Sequence, residues 1–103
     1  MEKVKNSIMQ DEKECYITHS TLGLQKHHIF GGPYRTKSDD YGCWIWLRHD
    51  WHTGTSYAVH SDSKLMLQLR AECQKKFEEI YSHELFMKLF RKDYMEVLKC
   101  KEQ

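Results

Sequence analysis

The hydrophobic period of this chain changes near His60, and that change limits the folds open to it. Upstream, Leu24 to Phe30 can form a strand, and Cys43 to Leu47 is a short aromatic and β-branched run. Such runs predict strands. In the second, Cys43, Ile45 and Leu47 would share one face and Trp44, Trp46 and Arg48 the other. Downstream, Leu65, Leu69, Cys73, Phe77 and Ile80 recur at helical spacing with charged residues between them. That spacing predicts an amphipathic helix to about Tyr81, with Ser61 or Ser63 as its cap. Ser82 reads as the next N-cap, with Glu84 in the favourable first turn. Leu85, Phe86, Leu89 and Phe90 make a second amphipathic stretch, and Tyr94, Val97 and Leu98 either continue it or form a third. The expected class is α+β: a small hairpin packed against a C-terminal helical region.

The two predicted strands are joined by about a dozen residues. The only proline, Pro33, follows Gly31-Gly32 and opens a polar stretch, Tyr34 to Tyr41, that reads as a long loop. An antiparallel pair with an extended connection is expected, and long connections tend to carry function.

With 103 residues the chain reads as one domain, residues 1–103, with a core at about 15–60 and a helical tail at about 61–100. A chain of this size buries roughly 60–65% of its unfolded surface. Mean hydropathy is negative, and no apolar run approaches the ~20 residues of a membrane span. Met1 to Asn6 lack the hydrophobic stretch of a signal peptide, so a cytoplasmic location is expected. Cys15, Cys43, Cys73 and Cys100 form no CxxC pair and read as free thiols in a reducing compartment. A net charge of +1 gives no global attraction to a polyanion. Its distribution says more. From Cys15 to Lys37 there is no acidic residue, while Lys26, Arg35 and Lys37 supply positive charge. These three either contact phosphates or are solvated cations; both readings stand.

Five of the seven histidines lie between His27 and His60. On a strand, adjacent residues point to opposite faces, so His27 and His28 divide their labour: one turns toward a metal, the other toward a water beyond the phosphate. His52, past the second strand, offers a further ligand. His60 is either another ligand or a residue flanking the long helix. Phosphodiester cleavage needs a nucleophilic water, a base, and positive charge on the developing phosphorane, which a divalent cation supplies. His19, His49 and His83 read as surface residues, and Trp44, Trp46 and Trp51 as core.

His27-His28-Ile29 with Gly31-Gly32, then Leu47 followed by His52, resembles the HNH endonucleases of the His-Me finger (ββα-metal) superfamily, over roughly Cys15 to His60. The whole chain is similar to small phage- or prophage-encoded HNH proteins. The resemblance implies His28 as general base, His27 and His52 as ligands of one divalent ion (Mg, Mn, Zn or Ni), and His60 as a weaker ligand candidate. It further implies double-stranded DNA as substrate, 5′-phosphate and 3′-hydroxyl products, and a host cytoplasm if phage-encoded.

This chain departs from the family pattern at three points. The family's middle Asn, due near Cys43, is missing, and Ser38, Asp39 and Asp40 are candidates to replace it by bonding backbone groups. Of a two-CxxC zinc knuckle only Cys15 remains, with Thr18, Arg48 and Trp51 in the other places, so packing by Trp51 stands in for zinc. Ser56 occupies the place one helical turn after His52, so the peptide from His52 to His60 must loop. Because imidazole must be neutral to ligate or accept a proton, activity is expected to fall as pH drops through the histidine range. The competing expectations are a non-catalytic scaffold binding nucleic acid or a protein, and a structural metal protein.

Overall fold

β1 (Leu24–His28) and β2 (Trp44–Arg48) pair antiparallel, with His27 opposite Ile45 and His28 opposite Trp44. Residues opposite one another share a sheet face. Gln25 and His27 therefore stand with Leu47 and Ile45, while Lys26 and His28 stand with Trp46 and Trp44. Cys43, Ile45 and Leu47 are fully buried, as their alternation predicts. The computed structural model describes residues 6–101; residues 1–5, on which most of the cytoplasmic expectation rests, lie outside them.

The free edge of β2 is covered by the segment before β1. Ile8 N–H donates to the Gly42 carbonyl, Gln10 Oε1 accepts from Trp46 N–H, and Tyr16 N–H donates to the Trp46 carbonyl. Covering an edge in this way removes a pairing template.

The stretch expected as a loop is helical instead. A 3₁₀ turn at Gly32–Tyr34 leads into α1 (Arg35–Tyr41). Pro33 starts the turn, and Gly42, at φ +73°, ends the helix while Gly42 and Cys43 N–H return to the Asp39 and Ser38 carbonyls. Proline at the start and left-handed glycine at the stop are the usual helix punctuation. Seven residues with only Ser38 buried are too few to display an apolar stripe. Ser38 Oγ donates to the Phe30 carbonyl at 2.7 Å and accepts from Phe30 N–H at 3.2 Å, clamping α1 to the end of β1.

A short helix, α2 (His49–His52), follows β2 at once, and a 3₁₀ turn at Val59–Ser61 precedes α3 (Ser63–Ile80). The cap of α3 is Asp62, between the two serines expected: its carboxylate accepts from Lys64 and Leu65 N–H. Ser82 caps α4 (His83–Phe90), as its position predicts. Arg91, at φ +61°, ends α4, so α5 (Tyr94–Lys101) is a separate helix. Gln74, buried within α3, accepts from Tyr94 and Met95 N–H and donates to Glu78 and Asp93, which fixes the start of α5 against α3. The four cysteines are free, and no helix among the described residues is long and apolar enough to cross a membrane.

Ser38→Ala removes a hydroxyl that makes two hydrogen bonds inside the core. The Phe30 groups left behind would be unsatisfied, at a cost of about 1–3 kcal/mol. A urea midpoint that moves accordingly is the expected result; an unchanged midpoint would show that α1 is held by something else.

Candidate metal centre

Each histidine of the centre arrives by a different local rule. β1 carries His27 on the face it shares with Ile45, where burial leaves it only 2% exposed. His52 ends α2, directly after β2. His60 sits in the 3₁₀ turn before α3, once the chain has looped through residues 53–58. The three side chains converge, with one ligand nitrogen from each lying within 4.8 Å of the others. The ring of His27 stands edge-on to both of the others, its centroid 5.3 Å from His52 and 4.9 Å from His60.

The donor atoms fit a cation. His52 Nε2 and His60 Nε2 are 3.1 Å apart, and two nitrogens on one tetrahedral ion at ~2.0–2.1 Å would sit about 3.3 Å apart. His52 Nδ1 lies 2.8 Å from Gln25 Oε1. The amide oxygen can only accept, so the ring proton is on Nδ1 and the Nε2 lone pair is free. A plain hydrogen bond between His52 and His60 would account for those two rings alone. It leaves His27 Nε2 unexplained: that nitrogen is buried and has no hydrogen-bond partner among the described residues. Buried unpartnered nitrogens are rare, and an ion or a water is a usual explanation.

Electrostatics favour the neutral form of His27 and His52. Burial, then the charges of His60, His52, His28 and Arg70, pushes His27 down to about 3. Burial, then His60 and His28, also lowers His52. Neutral imidazoles are the form that ligates. Three nitrogen donors with an open fourth direction is the arrangement of catalytic rather than structural zinc sites.

His28 turns the other way, as strand alternation predicts. Its Nε2 lies 2.8 Å from Asp39 Oδ1 on α1, and the same oxygen takes Lys26 Nζ at 2.8 Å. Desolvation raises the Asp39 carboxyl, but hydrogen bonds from Lys26 and His28 outweigh it and hold the group below its usual range. His28 keeps 14% of its side chain exposed, enough for solvent to reach it. His27, His28, His52 and His60 border one cleft of about 260 Å³, together with Lys26, Arg35 and the Gly31-Gly32 backbone. Gly32, at φ +58°, is where that wall needs a residue without Cβ strain.

Of the phosphate candidates, Lys26 and Arg35 reach the cleft. Lys37 does not: its ammonium donates to the Leu89 carbonyl at 3.1 Å and lies over the Tyr34 ring. Two positions apart on a helix are about 200° around its axis, so Arg35 and Lys37 point away from each other. His19, His49 and His83 are exposed, as expected. Gln25, which orients His52, is a partner that the motif did not reveal. Its only signal was strand alternation, which puts it on the face of His27. Asp39 had been a candidate for backbone bonding, whereas its carboxylate meets the imidazole itself.

Zinc or cobalt should bind one to one, with His27→Ala, His52→Ala or His60→Ala each abolishing tight binding in calorimetry. Gln25→Ala should weaken it by about 10-fold through loss of ring orientation. For the metal-free chain, an unfolded imidazole titrates near 6.5, while folded His27 does so at about 3. Below about pH 6.5 the unfolded chain binds a proton that the native chain refuses. Stability present above that pH is therefore lost as pH falls toward 3, by up to about 1.4 kcal/mol per pH unit. His27→Gln should flatten that slope in urea titrations, and an unaltered slope would mean that His27 is not the group responsible. Comparison of the chain with protein-family models, with curated proteins and with solved structures gave no match in any of the three, and what the molecule does is therefore read from this cleft.

Proposed function

We propose that this chain is a metal-dependent endonuclease of the HNH type that hydrolyses DNA phosphodiester bonds. One observation carries the reading: a trio of converging imidazoles and a separately held fourth, His28, share a cleft with Lys26 and Arg35. The order β1, long connection, β2, α2, with paired histidines on β1 and a third on α2, further supports a ββα-metal finger.

His27, His52 and His60 would hold the ion. When bound, a divalent cation supplies positive charge to the developing phosphorane and the departing oxygen. An all-imidazole donor set favours zinc or nickel over magnesium, which prefers oxygen ligands. Lys26 and Arg35 bind phosphate oxygens at the cleft wall and draw the backbone into line. His28 accepts the proton of the attacking water, which its position on the opposite strand face from His27 allows. Ser38, by clamping Phe30, does the tying work that the family assigns to its Asn.

Supercoiled plasmid incubated with protein and Zn²⁺, Ni²⁺, Mn²⁺ or Mg²⁺ tests the proposal. Wild type should nick it with at least one of these ions. His28→Ala should lose about 100-fold or more of the rate while still binding metal, whereas His52→Ala loses both. Metal uptake with no cleavage would overturn the enzyme in favour of a structural site, and DNA retention without metal would favour a binding protein.

A further inference from the structure

We propose that Asp39 is the positioning residue of His28: its carboxylate accepts the Nε2–H and so holds the ring in the tautomer whose free lone pair is on Nδ1. The catalytic consequence rests on the nuclease reading above; the tautomer itself does not.

The donor logic is short. A carboxylate held ionised can only accept, so at 2.8 Å the proton between it and His28 belongs to Nε2. A neutral imidazole has a single N–H, which leaves Nδ1 as the basic atom. Lys26 keeps the carboxylate in that role. Its ammonium meets the same Oδ1 at 2.8 Å and is itself seated over the Trp44 ring at 4.5 Å. With a cation on the shared oxygen, Asp39 has little tendency to take the proton for itself.

The placement of Asp39 follows from its neighbour. Ser38 is clamped to Phe30 at both backbone atoms, so the next residue of α1 must lie beside the end of β1. Asp39 lies eleven positions after His28 in the chain, and the clamp helps to bring them together.

A purely structural role explains the contact poorly. The Asp39 side chain is 39% exposed, and ion pairs so open to water add little to stability. What the contact does fix is a ring that lines the cleft. Asp39 thereby couples two groups of the cleft, the base and a phosphate-facing cation.

The test uses zinc-loaded full-length protein, wild type and Asp39→Ala, with ¹⁵N-labelled histidine. Two-bond nitrogen–proton correlations report the tautomer of each ring. Wild-type His28 should read as Nε2–H, and Asp39→Ala should lose that preference while zinc affinity stays within about twofold, which shows that the variant is folded with its trio intact. In plasmid cleavage kcat should fall about 100-fold, the low end of what a general base contributes. KM should stay level or drop, because Lys26 is released toward phosphate. Lys26→Ala should instead raise KM. A wild-type His28 carrying its proton on Nδ1, or a variant with unchanged tautomer or unchanged kcat, would overturn the assignment. If wild type shows the Nε2–H tautomer but no cleavage with any metal, the nuclease reading fails and the positioning of His28 by Asp39 stands.

Discussion

Burial of Phe30 at the exit of β1 is the interaction on which the rest depends. Its ring packs on Phe90, Tyr94 and Phe86, with centroids 4.3, 5.3 and 5.4 Å away, so it carries the hairpin onto the helical layer. Burying such a side chain contributes roughly 1.5–3 kcal/mol, and each well-set aromatic contact about 0.5–1.5 kcal/mol beyond area. Its backbone is held as firmly by Ser38, and Ile29 before it donates to the Cys43 carbonyl and accepts from Arg70. A strand end pinned by two consecutive buried residues cannot rotate. The residues immediately upstream, His27 and His28, are therefore compelled to opposite faces. The separation of His27 from His28 is a consequence of packing, not of the imidazoles themselves.

That arrangement has a cost. A buried ring nitrogen without a partner destabilises by about 1–3 kcal/mol. The chain tolerates it at His27, within reach of two further imidazoles, while Ser38 and Gln74, also buried, are bonded. Local deficits of this kind concentrate at functional sites and are offset elsewhere. The aromatic cluster around Phe30 and the Gln74 junction between α3 and α5 are where this molecule makes up the difference.

A second network, built around Cys15 and Asp50, explains how His60 returns to His52. Cys15 is fully buried and accepts from Thr18 N–H. Burial would raise its thiol, but hydrogen bonds from Thr18, Arg48 and Ile17 prevail and lower it. Hydrogen bonds from Thr18 and Arg48 to one sulfur thus tie the segment before β1 to the end of β2. Arg48 in turn grips Asp50 with two contacts of 2.6 and 2.8 Å. Thr55 bonds the Asp50 carbonyl and Tyr57 its carboxylate. Residues 53–58 are thus folded back on the start of α2, and the next turn delivers His60 to the trio. Trp51, half-buried against Tyr57, supplies the packing expected of it.

What could be read from the chain divides along one physical line. Alternation and helical period are local, and they foretold both strands, the faces of His27 and His28, and α3 with its buried Leu69, Cys73 and Phe77, although Ile80, expected on the same face, is exposed. α1 escaped because seven mostly polar residues show no stripe; the proline before it and the glycine after it were the signal, and the proline had been read as a loop marker. The roles of Gln25 and Asp39 escaped for a different reason. Each acts through a ring brought to it by tertiary packing, and no spacing in the chain encodes the distance between α1 and the end of β1. Arg35 and Lys37 show how sharply this matters: taken as loop residues they are equivalent cations, but once α1 is helical, geometry alone sends one to the cleft and the other to α4. A motif can therefore nominate ligands along a strand, whereas the groups that orient them follow only once the element opposite has been placed.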